Sequence, residues 1–217
     1  MRSRSEEDYL KAIYSLWKKG ESTSTNDIAT HLYMKASSVT DMLKKLSDKG
    51  FVNYVKYKGT TLTKEGKKIA LSIIRKHRLW ETFLVNNLNF KWDQVHEIAE
   101  QLEHINSPEL VNRLDDFLGQ PKFDPHGDPI PDKNGKIKDP RTSRILAEMN
   151  IGENGIIIGV KDGSSDFLRY LDNEGLSLGT AISIVEIFDF DGSFKLKLKT
   201  NLLTVSDRVA KNLLIQN

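Results

Sequence analysis

The alternation of apolar and polar positions changes character twice along the chain. Over residues 6–18, Tyr9, Leu10, Ile13, Tyr14, Leu16 and Trp17 recur at helical spacing, which predicts an amphipathic helix stopped by Lys18, Lys19 and Gly20. A short helix follows, with Ser24 or Thr25 as its cap and Ile28, Ala29 and Leu32 facing inward. After a turn at Tyr33 to Lys35, a third helix opens at Ala36, Ser37 and Ser38 and carries Val39, Met42, Leu43 and Leu46 toward Gly50. Residues 51–63 then read as two strands turning near Lys58 and Gly59, with Thr63 capping the next helix. That helix runs from Lys64 to about Leu88 with Ile69, Ile73, Ile74, Trp80, Phe83 and Leu84 on its apolar side, and residues 93–105 and 108–118 predict two more. Residues 120–142 hold five of the six prolines and read as a linker. Beyond it, short apolar runs at 155–160, 181–188 and 193–198, with a short helix near Ser165 to Asn173, predict a small β-barrel.

Two short helices joined by a tight turn, followed by a basic two-stranded hairpin, define a winged helix-turn-helix. The third helix of such a domain lies in the major groove. Ser37, Ser38, Thr40, Asp41 and Lys44 are therefore expected to reach bases or phosphates, while Lys45, Lys49, Lys56 and Lys58 serve the backbone. Asp41 is the odd member, because phosphates repel a carboxylate unless it accepts from a cytosine amino group. Charge agrees with the assignment: residues 1–68 contain 14 Lys and Arg against 8 Asp and Glu, whereas residues 69–217 contain 18 against 22.

Composition sets the class. With 38% hydrophobic and 29% charged residues, the 217-residue chain has the profile of a soluble globular protein of more than one domain. It contains no run of about eighteen apolar residues that would span a bilayer. An acidic start in place of an apolar leader, and the absence of cysteine, lead us to expect a cytoplasmic protein.

The chemistry lies in the middle of the chain. His77 and Glu81 stand one turn apart on the long helix, and His96, Glu100, Glu103 and His104 follow within nine residues. Positions three and four apart share a helix face, so Glu100, Glu103 and His104 are expected to converge and offer two oxygens and one nitrogen to a divalent cation. Asp8 on the first helix adds a further carboxylate.

The segments SEEDYLKAIYSL, SSVTDMLKKLSDKGFV, YKGTTLTKEGKKIA, RKHRLWETFL, VHEIAEQLEHINS and DPHGDPIP, taken in order, resemble the metal-dependent repressors that include the diphtheria toxin repressor and the manganese transport regulators. The resemblance covers nearly the whole chain. It implies four parts: a winged helix-turn-helix over 1–68, a helical metal-binding and dimerisation domain over 69–119, the Pro-rich linker over 120–142 and an SH3-like β-barrel over 143–217. The fold class expected is thus mainly α with a small β domain, and the last domain is implied to tune activation. The resemblance further implies a first metal site of Asp8, Glu100, Glu103 and His104. Asp8 and Glu100 stand where manganese-type members have Asp and Glu and iron-type members tend to have Met and Cys. Lys11 departs from some manganese regulators, which carry a second carboxylate there and hold a two-metal cluster. For a second site two versions stay open: His77, Glu81 and His96, as in iron-type members, or Glu81, Asp124, His126 and Asp162, with Asp124 replacing a cysteine.

The function implied is a homodimeric repressor of metal-uptake genes that binds a double-stranded operator when Mn²⁺, or next Fe²⁺, is bound, with no membrane partner. Two other classes remain: a winged-helix regulator answering an organic ligand, and a carboxylate-bridged metalloenzyme. The enzyme class would require two Glu-x-x-His pairs, and the residues three before His96 and His104 are Asp93 and Gln101. Nucleophile elbow, phosphate loop and His-Glu-x-x-His motifs are likewise missing from the sequence, and no catalysis is expected.

Overall fold

The computed structural model of the protein describes residues 2–17 and 21–216, and the helix stop expected at Lys18 to Gly20 lies outside them. Helix α1 (Arg4–Leu16) begins before the apolar periodicity does, because Ser3 and Glu6 form a capping box. The Ser3 hydroxyl accepts from the Glu6 amide and the Glu6 carboxylate accepts from the Ser3 amide. Ser24 caps α2 (Thr25–His31) by accepting from the Asp27 amide at 3.0 Å. Tyr33, at φ 54, makes the turn into α3 (Ala36–Asp48), whose cap position holds Lys35 without a side-chain bond. Strands β1 (Val52–Val55) and β2 (Gly59–Leu62) form the wing, with Val52 opposite Leu62 and Val55 opposite Gly59.

Leu10, Ile13, Ile28, Val39, Leu43, Leu46, Ile69 and Ile73 pack into one apolar core. Each such side chain contributes about 1.5–3 kcal/mol on burial. Helix α4 (Lys64–Leu88) enters this core at Gly66, where a Cβ would collide with the Phe51 carbonyl oxygen, so only glycine lets the helix start this close to the wing.

The single helix expected over 93–105 is broken in two. A 3₁₀ turn at Trp92–Gln94 precedes α5 (His96–Leu102), which is only seven residues long, and α6 (Pro108–Phe117) follows. Glu103 and His104 therefore stand on the turn after α5 rather than on a helix.

The chain forms two compact units. One contains the residues up to Trp80, Glu100–Phe117 and Pro131–Ile137; the other contains Glu81–Ala99, Leu118–Ile130 and the residues from Lys138 onward. In the second unit, β3 (Arg144–Ile145), β4 (Asn154–Val160), β5 (Ala181–Ile187), β6 (Phe194–Lys197), β7 (Leu202–Val205) and β8 (Leu213–Gln216) form an antiparallel sheet in the order β3-β8-β4-β5-β6-β7. Helices α7 (Ser165–Asn173) and α8 (Asp207–Ala210) accompany it, and Leu146, Ile157, Leu168, Leu171, Leu176, Ile184, Leu196 and Ile215 are its core.

Part of the expected linker belongs to this unit and is no passive tether. The Val160 amide donates to the His126 carbonyl at 3.1 Å. Gly127, at φ +88, lies so close to β4 that a Cβ would meet the Ile158 carbonyl oxygen. Arg141 donates to the Gly127 carbonyl at 2.7 Å and the Ile158 carbonyl at 3.0 Å, and its guanidinium lies 3.4 Å over the Phe123 ring.

Candidate metal centre and DNA-facing surface

In the first unit, α1 carries Asp8 to the turn after α5. Asp8 Oδ1 lies 3.0 Å from His104 Nε2, and Nε2 lies 3.9 Å from Glu103 Oε1. All three residues offer a ligand atom within 4.8 Å of the others. Glu103 is wholly buried, yet among the described residues its Oε1 and the Nε2 of His104 have no hydrogen-bond partner, since the Asp8 approach lacks hydrogen-bond geometry. Buried polar atoms are almost always satisfied. Two orphaned ligand atoms beside a carboxylate are what a divalent-cation site requires, and the donor set suits a hard cation.

Glu7 completes the arrangement. Its Oε2 lies 2.9 Å from His104 Nδ1, so Nδ1–H donates to it and Nε2 keeps its lone pair for the cluster. Burial raises the Asp8 carboxyl above its ordinary range; His104 opposes that shift, and Glu100 and Glu103 add to it. Lys11 Nζ stands 2.6 Å from Glu100 Oε1, 2.7 Å from Glu103 Oε2 and 3.2 Å from His77 Nδ1. His77 Nδ1 itself lies 2.6 Å from Glu103 Oε2. Glu100 is thus engaged through Oε1 by Lys11, and His77 belongs to this first unit.

The second unit holds its own cluster: Glu81, Asp124 and His126, all buried, with ligand atoms within 4.8 Å of one another. Gly127 and the Val160 bond seat His126 here. Its Nε2–H donates to the Trp92 carbonyl at 2.9 Å, and Nδ1 faces Glu81 Oε2 at 3.5 Å. Burial pushes the His126 imidazole down, but Glu81, Asp124 and the Trp92 carbonyl outweigh it and hold it up at about 9. Asp124 Oδ1 accepts from the His126 amide at 2.8 Å and the Asp128 amide at 3.0 Å. His96 Nδ1 also approaches Glu81, 3.5 Å from Oε1, from a largely exposed position. Asp162 is half-buried at the entrance to α7, where its Oδ1 accepts from the Ser164 amide at 2.9 Å.

On α3, Ser37, Ser38, Asp41 and Lys44 are exposed, and since Lys35 occupies the cap position the two serines are not the N-cap. Asp41 is offset by Lys44 at 3.4 Å, and Thr40 Oγ1 donates to the Ala36 carbonyl at 2.9 Å. Lys45 and Lys49, expected to serve the DNA backbone, instead reach back to Glu6 on α1 at 2.9 and 2.6 Å. Burial pushes the Glu6 carboxyl up, but Lys49, Lys45 and the Ser3 amide outweigh it and hold it at about 2. On the wing, Lys56 and Lys58 are exposed, and the Lys56 ammonium lies 4.9 Å over the Tyr57 ring.

The sequence reading missed Glu7, and it missed Tyr33 and Tyr57. These tyrosines are 96% and 92% exposed, at φ 54 and φ 67, on the turn before α3 and at the wing tip. Bulky residues at positive φ are uncommon, and the Tyr-Met and Tyr-Lys-Gly turn sequences carry that signal only weakly.

Family models match the chain in order: the N-terminal DNA-binding domain of iron-dependent repressors over residues 1–60, their metal-binding and dimerisation domain over 63–132, and a FeoA domain over 145–217. The HTH-type transcriptional regulator MntR of Bacillus velezensis is 34% identical over 118 residues, 54% of this chain and 82% of that protein. The iron-dependent repressor IdeR of Mycobacterium tuberculosis is 32% identical over 125 residues, 58% of this chain and 54% of IdeR, so the match spans about half the length of that relative. A solved manganese-dependent transcriptional repressor in complex with manganese has a TM-score of 0.87 at 33% identity, covering 98% of this chain and 99% of that one. The chain belongs to the metal-dependent repressor family of the diphtheria toxin repressor and the manganese transport regulators. Its fold is that family's: a winged helix-turn-helix, a helical domain and a small SH3-like β domain. Among the described residues no helix is long and apolar enough to cross a membrane.

Proposed function

We propose that this chain is a cytoplasmic, homodimeric transcriptional repressor that binds operator DNA of metal-uptake genes when loaded with Mn²⁺, with Fe²⁺ as the next-best activator. The observation that carries the reading is the pair of buried, unpartnered ligand atoms, Glu103 Oε1 and His104 Nε2, facing Asp8. Asp8, Glu100, Glu103 and His104 form the activating site. Three carboxylates to one imidazole favour a hard ion such as Mn²⁺. Glu81, Asp124 and His126 form the second site, since these three are buried together, and His96 stands at its margin.

When bound, the cation supplies positive charge that offsets the clustered carboxylates and holds α1 against the turn after α5. Asp8 delivers that restraint to α1. Two residues away, Glu6 fastens α1 to Lys45 and Lys49 of α3, so the position of the recognition helix follows the position of α1. Ser37, Ser38, Thr40 and Lys44 then meet the major groove, and Tyr33, Tyr57, Lys56 and Lys58 contact the flanking backbone. Dimerisation, for which the family's dimerisation domain speaks, places two such helices on two half-sites.

The test is fluorescence anisotropy of a labelled promoter fragment from a metal-uptake gene, titrated with metal-stripped protein with and without Mn²⁺ or Fe²⁺. Metal should tighten binding, and Asp8→Ala should stay at the weak metal-free affinity at all metal concentrations while circular dichroism stays native. Equal affinity with and without metal would move the assignment to a regulator of organic-ligand type.

A further inference from the structure

We propose that the Lys11 ammonium is a covalently tethered cation standing in a second cation position of the first centre, so that this centre takes one divalent ion and cannot take two. The inference rests on reading Asp8, Glu103 and His104 as metal ligands. Lys11 follows Asp8 by three residues on α1 and so shares its face. Its side chain is 17% exposed, and the groups round its nitrogen are two carboxylates and an imidazole: Glu100 Oε1 at 2.6 Å, Glu103 Oε2 at 2.7 Å and His77 Nδ1 at 3.2 Å. The imidazole's Nδ1–H donates to Glu103 Oε2 at 2.6 Å and so offers Lys11 no lone pair; the two carboxylates are the donor type that suits a hard divalent ion. Here they surround an ammonium instead.

Glu103 joins the two positions. Its Oε2 is taken by Lys11 and His77, while its Oε1 is without a partner and faces His104 and Asp8. A carboxylate divided in this way between two cations has the role of a bridging ligand in a two-metal site. One of the two cations is part of the chain and cannot dissociate. The consequences are distinct from those of a mere surface ion pair. The carboxylates are partly neutralised before any metal arrives, so the site does not fly apart when empty. Loading at the first centre is a single event without metal–metal cooperativity. The lysine also repels the incoming divalent ion across Glu103, which weakens its affinity.

The measurement is the number of Mn²⁺ bound per chain, by equilibrium dialysis and elemental analysis, in full-length protein whose second cluster has been disabled by Glu81→Gln and His126→Ala. With Lys11 in place the expected value is one, with the six-line electron paramagnetic resonance spectrum of an isolated ion. Adding Lys11→Glu should raise it to two and replace that spectrum with the signature of an exchange-coupled pair. Two ions bound with Lys11 present, or one bound by a folded Lys11→Glu chain, overturns the inference. No ion bound at all overturns the ligand assignment itself, and the inference with it. If Lys11→Glu does not fold, Lys11→Gln removes the charge at similar length. The single Mn²⁺ should then bind about tenfold more tightly, because a like charge a few ångströms away has gone. Unchanged or weaker binding by that variant counts against the tethered cation.

Discussion

Glu7 and Asp8 are neighbours of the same chemical type that do different work, and the difference is one of direction. Asp8 faces the orphaned atoms of Glu103 and His104, whereas Glu7 lies behind the imidazole and accepts from Nδ1 at 2.9 Å. A carboxylate behind a ligating histidine fixes its tautomer and raises its basicity, and losing one costs about 10–100-fold in metal affinity. Glu7→Gln retains an acceptor and nearly the same volume but removes the charge. It should weaken Mn²⁺ binding at the first centre by a factor in that range, measured by competition with a metal-binding dye, without altering the thermal midpoint of the metal-free protein by more than about 1–2 °C. Wild-type affinity in that variant would mean that Nδ1 is held by something else. Spacing and family likeness singled out Asp8, Glu103 and His104 in the sequence, and the structure brings their ligand atoms within 4.8 Å of one another. Neither signal could pick Glu7, because the reach of both adjacent carboxylates to the imidazole, one at each ring nitrogen, depends on the phase of α1, and that is set by the packing of its own Leu10 and Ile13.

Among the elements, those with long, regular periodicity were legible and those shaped by tertiary contact were not. The bounds of α4 and the two wing strands follow from apolar spacing and from the turn at Lys58 and Gly59. The end of α5 at Leu102 does not, since spacings of three and four residues look the same in a last helical turn and in the turn beyond it. β3, β7 and β8 are two to four residues long and declare themselves only by pairing, β8 between β3 and β4. The Pro-rich segment read as a tether because its order comes from one distant side chain: Arg141 bonds the Gly127 and Ile158 carbonyls and covers Phe123. Charge-assisted hydrogen bonds and a cation–π contact of this kind are together worth about 2–3 kcal/mol. Arg141→Ala should lower the unfolding free energy by that amount, read from urea denaturation, and should loosen the backbone that seats His126. Asp139 holds Arg141 in place, and hydrogen bonds from Arg141 keep its carboxyl below the usual aspartate value, against a smaller opposing effect of burial. A depressed folded-state pKa means that this pair stabilises the fold above the unfolded aspartate value and loses that contribution as the pH falls through the folded one. Asp139→Asn should accordingly flatten the fall in stability below about pH 4, and an unchanged acid limb would show that the pair contributes nothing.

On the reading proposed above, occupancy at Asp8 has to be felt by DNA, and α1 is the element to which we assign that task. One face of α1 supplies Asp8 to the cluster and another supplies Glu6, almost fully buried and ionised, to Lys45 and Lys49 of the recognition helix. The same bond has a second effect: it turns two lysines of the DNA-facing domain toward a protein carboxylate and away from phosphate. Glu6→Gln separates binding from response. Its Mn²⁺ affinity without DNA should remain near wild type, because no ligand changes. The metal-free variant should bind DNA more tightly than metal-free wild type, and with a steeper dependence on salt, because Lys45 and Lys49 are released to phosphates. The ratio of operator affinities with and without Mn²⁺, which for a coupling of about 1–3 kcal/mol is 5–150-fold, should shrink toward one. Linkage then demands that the tightening of Mn²⁺ binding on adding operator shrink by the same factor, so the two titrations check each other. A Glu6→Gln protein that keeps the wild-type ratio in both directions would show that metal reaches DNA by a path other than the α1–α3 bond.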